Sequence, residues 1–271
     1  MSTYLSRTTV GEALIGDEEG YVPLSAADPT LSNEIDALGA GTIPDPGDAS
    51  ARRIPESALS LGIPVSRPGA LWGIGLNYAE HAADLDEDRP EEPASFLQPP
   101  ATAVGPGGPI RLPPVDVTRR VTAEAELGVV IGRTCRDVSP ERAADAIGGF
   151  LALIDVTAED VLQRNPRFLT RSKSFDAFLV LGPRIYVPEP GAEIDDWSVR
   201  TIVDGTTVAE NTVANMRFSP LELVASLSRS TTLRPGDVIA TGTPGAGRIE
   251  PGALVRAEID RVGSAEAAVV R

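Results

Sequence analysis

The sequence predicts an α+β fold dominated by strands, on three observations. Strand-like segments outnumber helical ones. They do not alternate as repeating βαβ units, which argues against a doubly wound sheet. Residues 121–131 alternate strictly, with Ala123, Ala125, Leu127, Val129 and Ile131 on one face and Thr122, Glu124, Glu126 and Gly128 on the other. A length of 271 residues with 42% apolar content supports a sizeable core in one medium domain plus a smaller one.

The smaller domain is expected over residues 1–67. Tyr4-Leu5 and Ala13-Leu14-Ile15 read as short strands, Asp17-Glu18-Glu19-Gly20 as a turn and Tyr21-Val22-Pro23-Leu24 as the returning arm. The acidic, Pro/Gly/Ala-rich stretch 26–50 reads as loop. The larger domain is expected over 68–271, opening on a buried strand at Leu71–Gly75. Asn77 to about Leu85 reads as a helix, with Asn77 as N-cap and Glu80 completing a capping box. His81 and Asp84 then share a face. Residues 84–92 read as an acidic loop. Ser139–Ile147 reads as a helix and Phe150–Asp155 as a buried strand ending in a carboxylate. Strands at 199–203 and 206–209 are joined by an Asp204-Gly205 hairpin turn. Ser219-Pro220-Leu221-Glu222 opens a helix with a cap, Pro at N1 and Glu at N3. Further strands are expected at 238–240, 254–260 and 265–270.

Charge removes several function classes. The formal net charge of -15 argues against nucleic-acid binding and against docking on anionic lipid. The chain has a single lysine among 24 Lys and Arg residues, a pattern of either GC-rich codons or a surface suited to high salt. Cys135 is the sole cysteine, so no internal disulfide or thiolate metal cage is expected. No basic segment leads into an apolar stretch at the N-terminus, and no apolar run approaches the ~20 residues of a membrane helix. A soluble cytoplasmic protein is the expectation.

The chemistry-bearing residues are few. Glu124 and Glu126, at i and i+2 of a strand, point the same way with Cβ atoms about 6–7 Å apart. They fit either a solvated strand face or a hard divalent cation. Asp155, after Phe150–Ile154, favours the cation, because a charge at the end of a core strand is costly unless paired or ligated. His81 is the only histidine, and Asp84 one turn away would orient it as a base. Lys173 stands where the chain elsewhere uses Arg, which points to a need for a compact ammonium. Thr241–Gly247 looks like an anion-cradling loop but lacks the Lys-Ser/Thr of a nucleotide P-loop.

Together these segments resemble the fumarylacetoacetate hydrolase family, from about Trp72 to Gly263. The matching stretches run in order: Gly75-Leu76-Asn77-Tyr78 with His81, Val104-Gly105-Pro106, Ala123–Leu127, Asp155-Val156-Thr157, Lys173–Asp176, Leu181-Gly182-Pro183, Pro235–Ile239 and Thr241–Pro244. The resemblance implies a mixed β-roll or sandwich catalytic domain, usually dimeric, behind a small N-terminal domain. It implies Mg²⁺ or Mn²⁺ on Glu124, Glu126 and Asp155, and a water-activating pair, His81 with Asp84. Lys173 joins them as the oxyanion-stabilising group. Asn77, Tyr78, Gln98, Arg164 and Thr243 are the substrate-contact candidates, with Arg167 and Arg171 as alternatives to Arg164. Three positions depart from the family pattern: Gln98 stands for a common Lys, Glu159 for Arg and Leu162 for Gln. The expected reaction is hydrolysis of a C–C bond in a β-diketo acid. The alternatives are dehydration of a 2-keto-3-deoxy sugar acid, isomerisation or decarboxylation of a 2-oxo diacid, and a non-catalytic metal- and ligand-binding protein.

Overall fold

The computed structural model describes residues 2–40, 43–49, 51–66, 68–78 and 91–271. Its first strands are β1 (Thr3–Arg7), β2 (Ala13–Asp17) and β3 (Gly20–Pro23), then β4 (Leu71–Gly75), β5 (Ala94–Gln98), β6 (Ala103–Val104) and β7 (Ile110–Arg111). The long central pair follows, β8 (Val121–Ile131) and β9 (Ile147–Ala158), with β10 (Leu179–Leu181) and β11 (Arg184–Val187). The C-terminal third supplies β12 (Ser198–Val203), β13 (Thr206–Thr212), β14 (Val238–Ala240), β15 (Ala246–Ile249), β16 (Leu254–Ile259) and β17 (Gly263–Val270).

Among the described residues these strands form two mixed sheets. The larger runs β3-β2-β1-β11-β9-β8-β14-β4-β5, with β15 also on β8 and β10 on β6 and β9. The smaller runs β13-β12-β16-β17-β7. Strands predominate as the sequence predicts, and parallel β14–β4 and β17–β7 pairs make both sheets mixed. Every residue of β8 is buried, and its alternation sorts side chains between two cores. Ala123, Ala125, Leu127, Val129 and Ile131 enter one core with Val199, Val255 and Ala257 of the smaller sheet. Leu151, Leu153, Leu71, Val238 and the N-terminal Leu5 and Ile15 form the other, on the opposite face.

Several local expectations change. β9 runs on to Ala158, so Asp155 sits inside the strand and not at its end. Leu24 starts a short helix, Leu24–Ala27, instead of closing a strand. A second helix, Glu34–Ala40, interrupts the expected 26–50 loop. Asn33 Oδ1 accepts from Asp36 N at 3.0 Å at its start, and Ala37 and Leu38 face the core. The expected 139–147 helix is Pro140–Ala143 followed by a 3-10 turn at Ala144–Ala146, because Ile147 already belongs to β9. The 204–205 turn is as expected, with Asp204 and Gly205 both at positive φ. The helix at Pro220–Ser230 carries the full Ser219–Glu222 capping box. β1 pairs with β11, so the N-terminal hairpin continues the large sheet.

Candidate active site: three carboxylates around one lysine

The register of the central pair builds the site. Glu124 lies directly opposite Asp155 in the β8–β9 ladder, and Glu126 is two residues along on the same face. One oxygen from each of the three carboxylates lies within 4.8 Å of the others. All three side chains are buried, which rules out the solvated strand face.

The partner strand of β8 is interrupted where Glu126 sits. β14 covers Gly128–Val130 and β15 covers Val121–Glu124, and the chain between them, 241–245, leaves the ladder. Thr241 closes part of the gap by donating its N and Oγ1 to Leu127 O, at 3.1 and 2.8 Å. Thr201 Oγ1 from β12 accepts from Ala125 N at 3.0 Å. Gly242 N then donates to Glu126 Oε2 at 2.6 Å. Gly242 has φ +98°, and a Cβ there would lie 2.7 Å from Asn77 Cβ, so the contact requires glycine. The anion this loop cradles is therefore the chain's own Glu126.

Lys173 reaches the site from the end of a short helix, Leu169–Lys173. Asn165 turns the chain toward it by accepting from Arg167 N at 3.0 Å. Lys173 Nζ donates to Glu124 Oε2 at 2.8 Å and Asp155 Oδ2 at 2.7 Å. Its charge also stands 5.6 Å from the centre of the Phe96 ring. Phe96 lies across Gly73, where any Cβ would fall 2.1 Å from the ring. Gln98, on the same face of β5, donates Nε2 to Asp155 Oδ1 at 2.9 Å and to Lys173 O at 3.2 Å. Thr157 Oγ1 donates to Glu124 Oε1 at 2.7 Å. Such donors fix the carboxylates in the way outer groups orient metal ligands.

Electrostatics show what the cluster lacks. Burial, then the charges of Asp155 and Glu124, push the Glu126 carboxyl well above its ordinary range despite Lys173 and the Gly242 N–H. Burial and Glu124 push Asp155 up to about 6, against the pull of Lys173. Burial alone would lower Lys173, but Asp155, Glu124 and Glu126 outweigh it and raise the ammonium. Three carboxylates with one ammonium leave excess negative charge in a low-dielectric site. A hard divalent cation with oxygen ligands fits that excess and this donor set.

Residues 70–270 match the family model for the fumarylacetoacetate hydrolase C-terminal domain. The chain belongs to the fumarylacetoacetate hydrolase family. A mitochondrial oxaloacetate tautomerase of Xenopus laevis is 32% identical, over 94% of this chain and 84% of its own. The fumarylacetoacetate hydrolase of Exiguobacterium antarcticum has the same architecture, with a TM-score of 0.85, 28% identity and coverage of 100% of this chain and 99% of that one. The 5-carboxymethyl-2-hydroxymuconate delta-isomerase of Mycobacterium smegmatis gives 0.77 and 31%, covering 100% and 99%. The family thus contains hydrolases, isomerases and tautomerases, all enzymes.

The remaining expected residues differ in their surroundings. His81 and Asp84, with most of the expected 77–85 helix, lie outside the described residues. Tyr78 is fully buried, and its hydroxyl has no hydrogen-bond partner among the described residues. Burial and then the Glu126 charge raise its pKa. Asn77 and Thr243 are buried and spent on backbone. Asn77 Nδ2 donates to Phe218 O at 3.0 Å and Thr241 O at 2.7 Å, and its Oδ1 accepts from Phe218 N at 2.9 Å. Thr243 Oγ1 donates to Gly245 O at 2.9 Å. These contacts hold the 241–245 loop against Glu126. Arg164 is half-exposed, donates to Val117 O at 3.0 Å and lies 3.7 Å from Asp160. Arg167 and Arg171 are exposed, the latter over the Phe168 ring. Glu159 pairs with Arg120 at 2.5 Å.

Sequence reasoning missed Thr157 and Gly242. Thr157 was readable as i+2 from Asp155. Gly242 was readable only as a loop glycine, since its target is 116 residues away.

Proposed function

We propose that this protein is a divalent-cation-dependent hydrolase that cleaves a C–C bond in a β-diketo acid of the acylpyruvate type. The observation carrying this reading is the buried cluster of Glu124, Glu126 and Asp155 with Lys173 bridging two of them. Glu124, Glu126 and Asp155 would hold Mg²⁺ or Mn²⁺. A cation there supplies Lewis-acid polarisation of the 2-oxo acid oxygens. Lys173 uses two of its three N–H donors on Glu124 and Asp155, which leaves the third for an oxyanion on the substrate. In this reading His81, oriented by Asp84, takes a proton from water as the water oxygen bonds to the distal carbonyl carbon. The C–C bond then breaks, its electron pair stays on the 2-oxo acid fragment as an enolate, and a proton returns to that carbon. The same reading makes the enzyme a cytoplasmic homodimer.

A second reading, keto–enol tautomerisation of a 2-oxo diacid, is favoured by one observation: the Xenopus relative is named an oxaloacetate tautomerase. This reaction needs the carboxylate site and Lys173 but no attacking water.

The test is a Mg²⁺- and Mn²⁺-dependent screen over acylpyruvates, enol-oxaloacetate and 2-keto-3-deoxy acids, with Glu124→Ala in parallel. Hydrolysis predicts two carbon fragments from an acylpyruvate and at least about a hundredfold loss in the variant. Loss of the enol absorbance without fragments supports tautomerisation. Unchanged activity in Glu124→Ala contradicts both.

A further inference from the structure

Gln98 stands where the family resemblance implies a lysine, and its surroundings define how its amide is used. The side chain is 3% exposed, at the end of β5. Its Nε2 faces two acceptors, Asp155 Oδ1 at 2.9 Å and Lys173 O at 3.2 Å. Turning the amide over would set its oxygen against both of those oxygens, so the orientation is determined by the network. Oε1 is consequently the free end of the amide. It is buried and has no hydrogen-bond partner among the described residues. A buried carbonyl oxygen left unpaired costs free energy that a bound donor recovers. An amide oxygen accepts and never donates, whereas an ammonium donates and never accepts. At this point of the site the exchange inverts the polarity that a ligand must present.

We infer that Gln98 is a specificity-determining residue whose Oε1 accepts a hydrogen bond from an O–H group of the substrate, selecting the enol or hydroxy form of a 2-oxo acid over the keto form. The inference rests on the 2-oxo-acid reading of the site. The two remain separable, because one concerns whether such acids bind and the other which form binds.

The probes are oxalate, which at neutral pH presents only acceptors, and glycolate, which replaces one carboxylate by a hydroxyl donor. Calorimetric titration of each into protein saturated with Mg²⁺ gives the ratio of their Kd values, and Mg²⁺ affinity is measured separately. Gln98→Met removes the acceptor at nearly constant length. Glycolate affinity falls about tenfold while oxalate affinity changes less than about threefold. Gln98→Lys replaces acceptor by donor, and the ratio moves toward oxalate by at least about tenfold. It serves as the second variant should the methionine protein not fold. Equal changes for both ligands in either variant, or a loss confined to Mg²⁺ affinity, overturn the inference and leave the 2-oxo-acid reading standing. Failure of both ligands to bind the unaltered Mg²⁺-loaded protein overturns the two together.

Discussion

Glu34 and Glu126 are both shut away from solvent, yet they meet their charge in opposite ways. Glu34 is fully buried at the start of its helix. One oxygen pairs with Arg7 Nη1 at 3.1 Å and the other accepts from Ser66 N. One carboxylate meets one guanidinium, and the arrangement holds the Glu34–Ala40 helix to β1. Glu126 receives one backbone N–H from Gly242 but shares one ammonium with two other carboxylates. The first sets one charge against one, and the second sets three carboxylates against one ammonium. Charge balance, and not burial or acidity alone, separates a structural acid from a site.

The comparison can be broken in four places, beginning with the largest effect. Lys173→Met removes the only cation facing the three carboxylates among the described residues. It should lower catalytic rate by at least about a hundredfold, the scale of lost oxyanion stabilisation. It should also destabilise metal-free protein by about 3–5 kcal/mol, the scale of breaking a buried ion pair. Turnover assays and urea melts would show it, and normal turnover would remove Lys173 from the chemistry.

Next, the same isosteric change should have opposite signs at the two acids. Glu34→Gln leaves Arg7 without its counter-ion and should cost about 1.5–3 kcal/mol with or without metal. Glu126→Gln relieves repulsion and should leave metal-free protein as stable as before or more so, while abolishing stabilisation by Mg²⁺. Equal losses at both positions in chemical denaturation would erase the distinction.

A third test uses pH. Asp155 rises from its ordinary value of 3.8 to about 6 in the folded protein. Between those values the folded state holds more protons than the unfolded state. Metal-free stability should therefore be greatest, on this group's account, below about pH 4 and decline as pH rises to about 6. Asp155→Asn should remove this component of the decline in thermal melts across that window, and an unchanged slope would count against the raised value.

The smallest effect belongs to the exposed network on the small sheet. Arg200 meets Glu210 at 2.7 Å and Asp260 at 2.9 Å near solvent. Glu210→Gln should cost less than about 1 kcal/mol and less again in high salt. A larger loss there would mean that exposure is a poor guide to ion-pair strength in this chain.

Much of the fold was legible where information is local. The alternation of 121–131, the Asp204-Gly205 turn and the Ser219–Glu222 box each rest on neighbouring residues. The β1–β11 pairing was not legible, since it joins segments about 180 residues apart. At the site, residue types and spacing named Glu124, Glu126, Asp155 and Lys173. They did not reveal that the Glu face is buried, because a strand covered on both sides differs from a half-exposed one only by its tertiary partners. Nor did they reveal that the Asn77 amide is engaged by Thr241 and Phe218, distant in the chain and so silent in any local pattern.

The central claim is that Glu124, Glu126 and Asp155 form a divalent-cation site because their charge is incompletely met by Lys173. The most direct measurement is calorimetric titration of Mn²⁺ into chelator-stripped protein, beside Glu126→Gln and Glu34→Gln. The account predicts saturable binding to the unaltered chain and to Glu34→Gln, and none to Glu126→Gln. Binding that survives Glu126→Gln, or its absence from the unaltered chain, would contradict it.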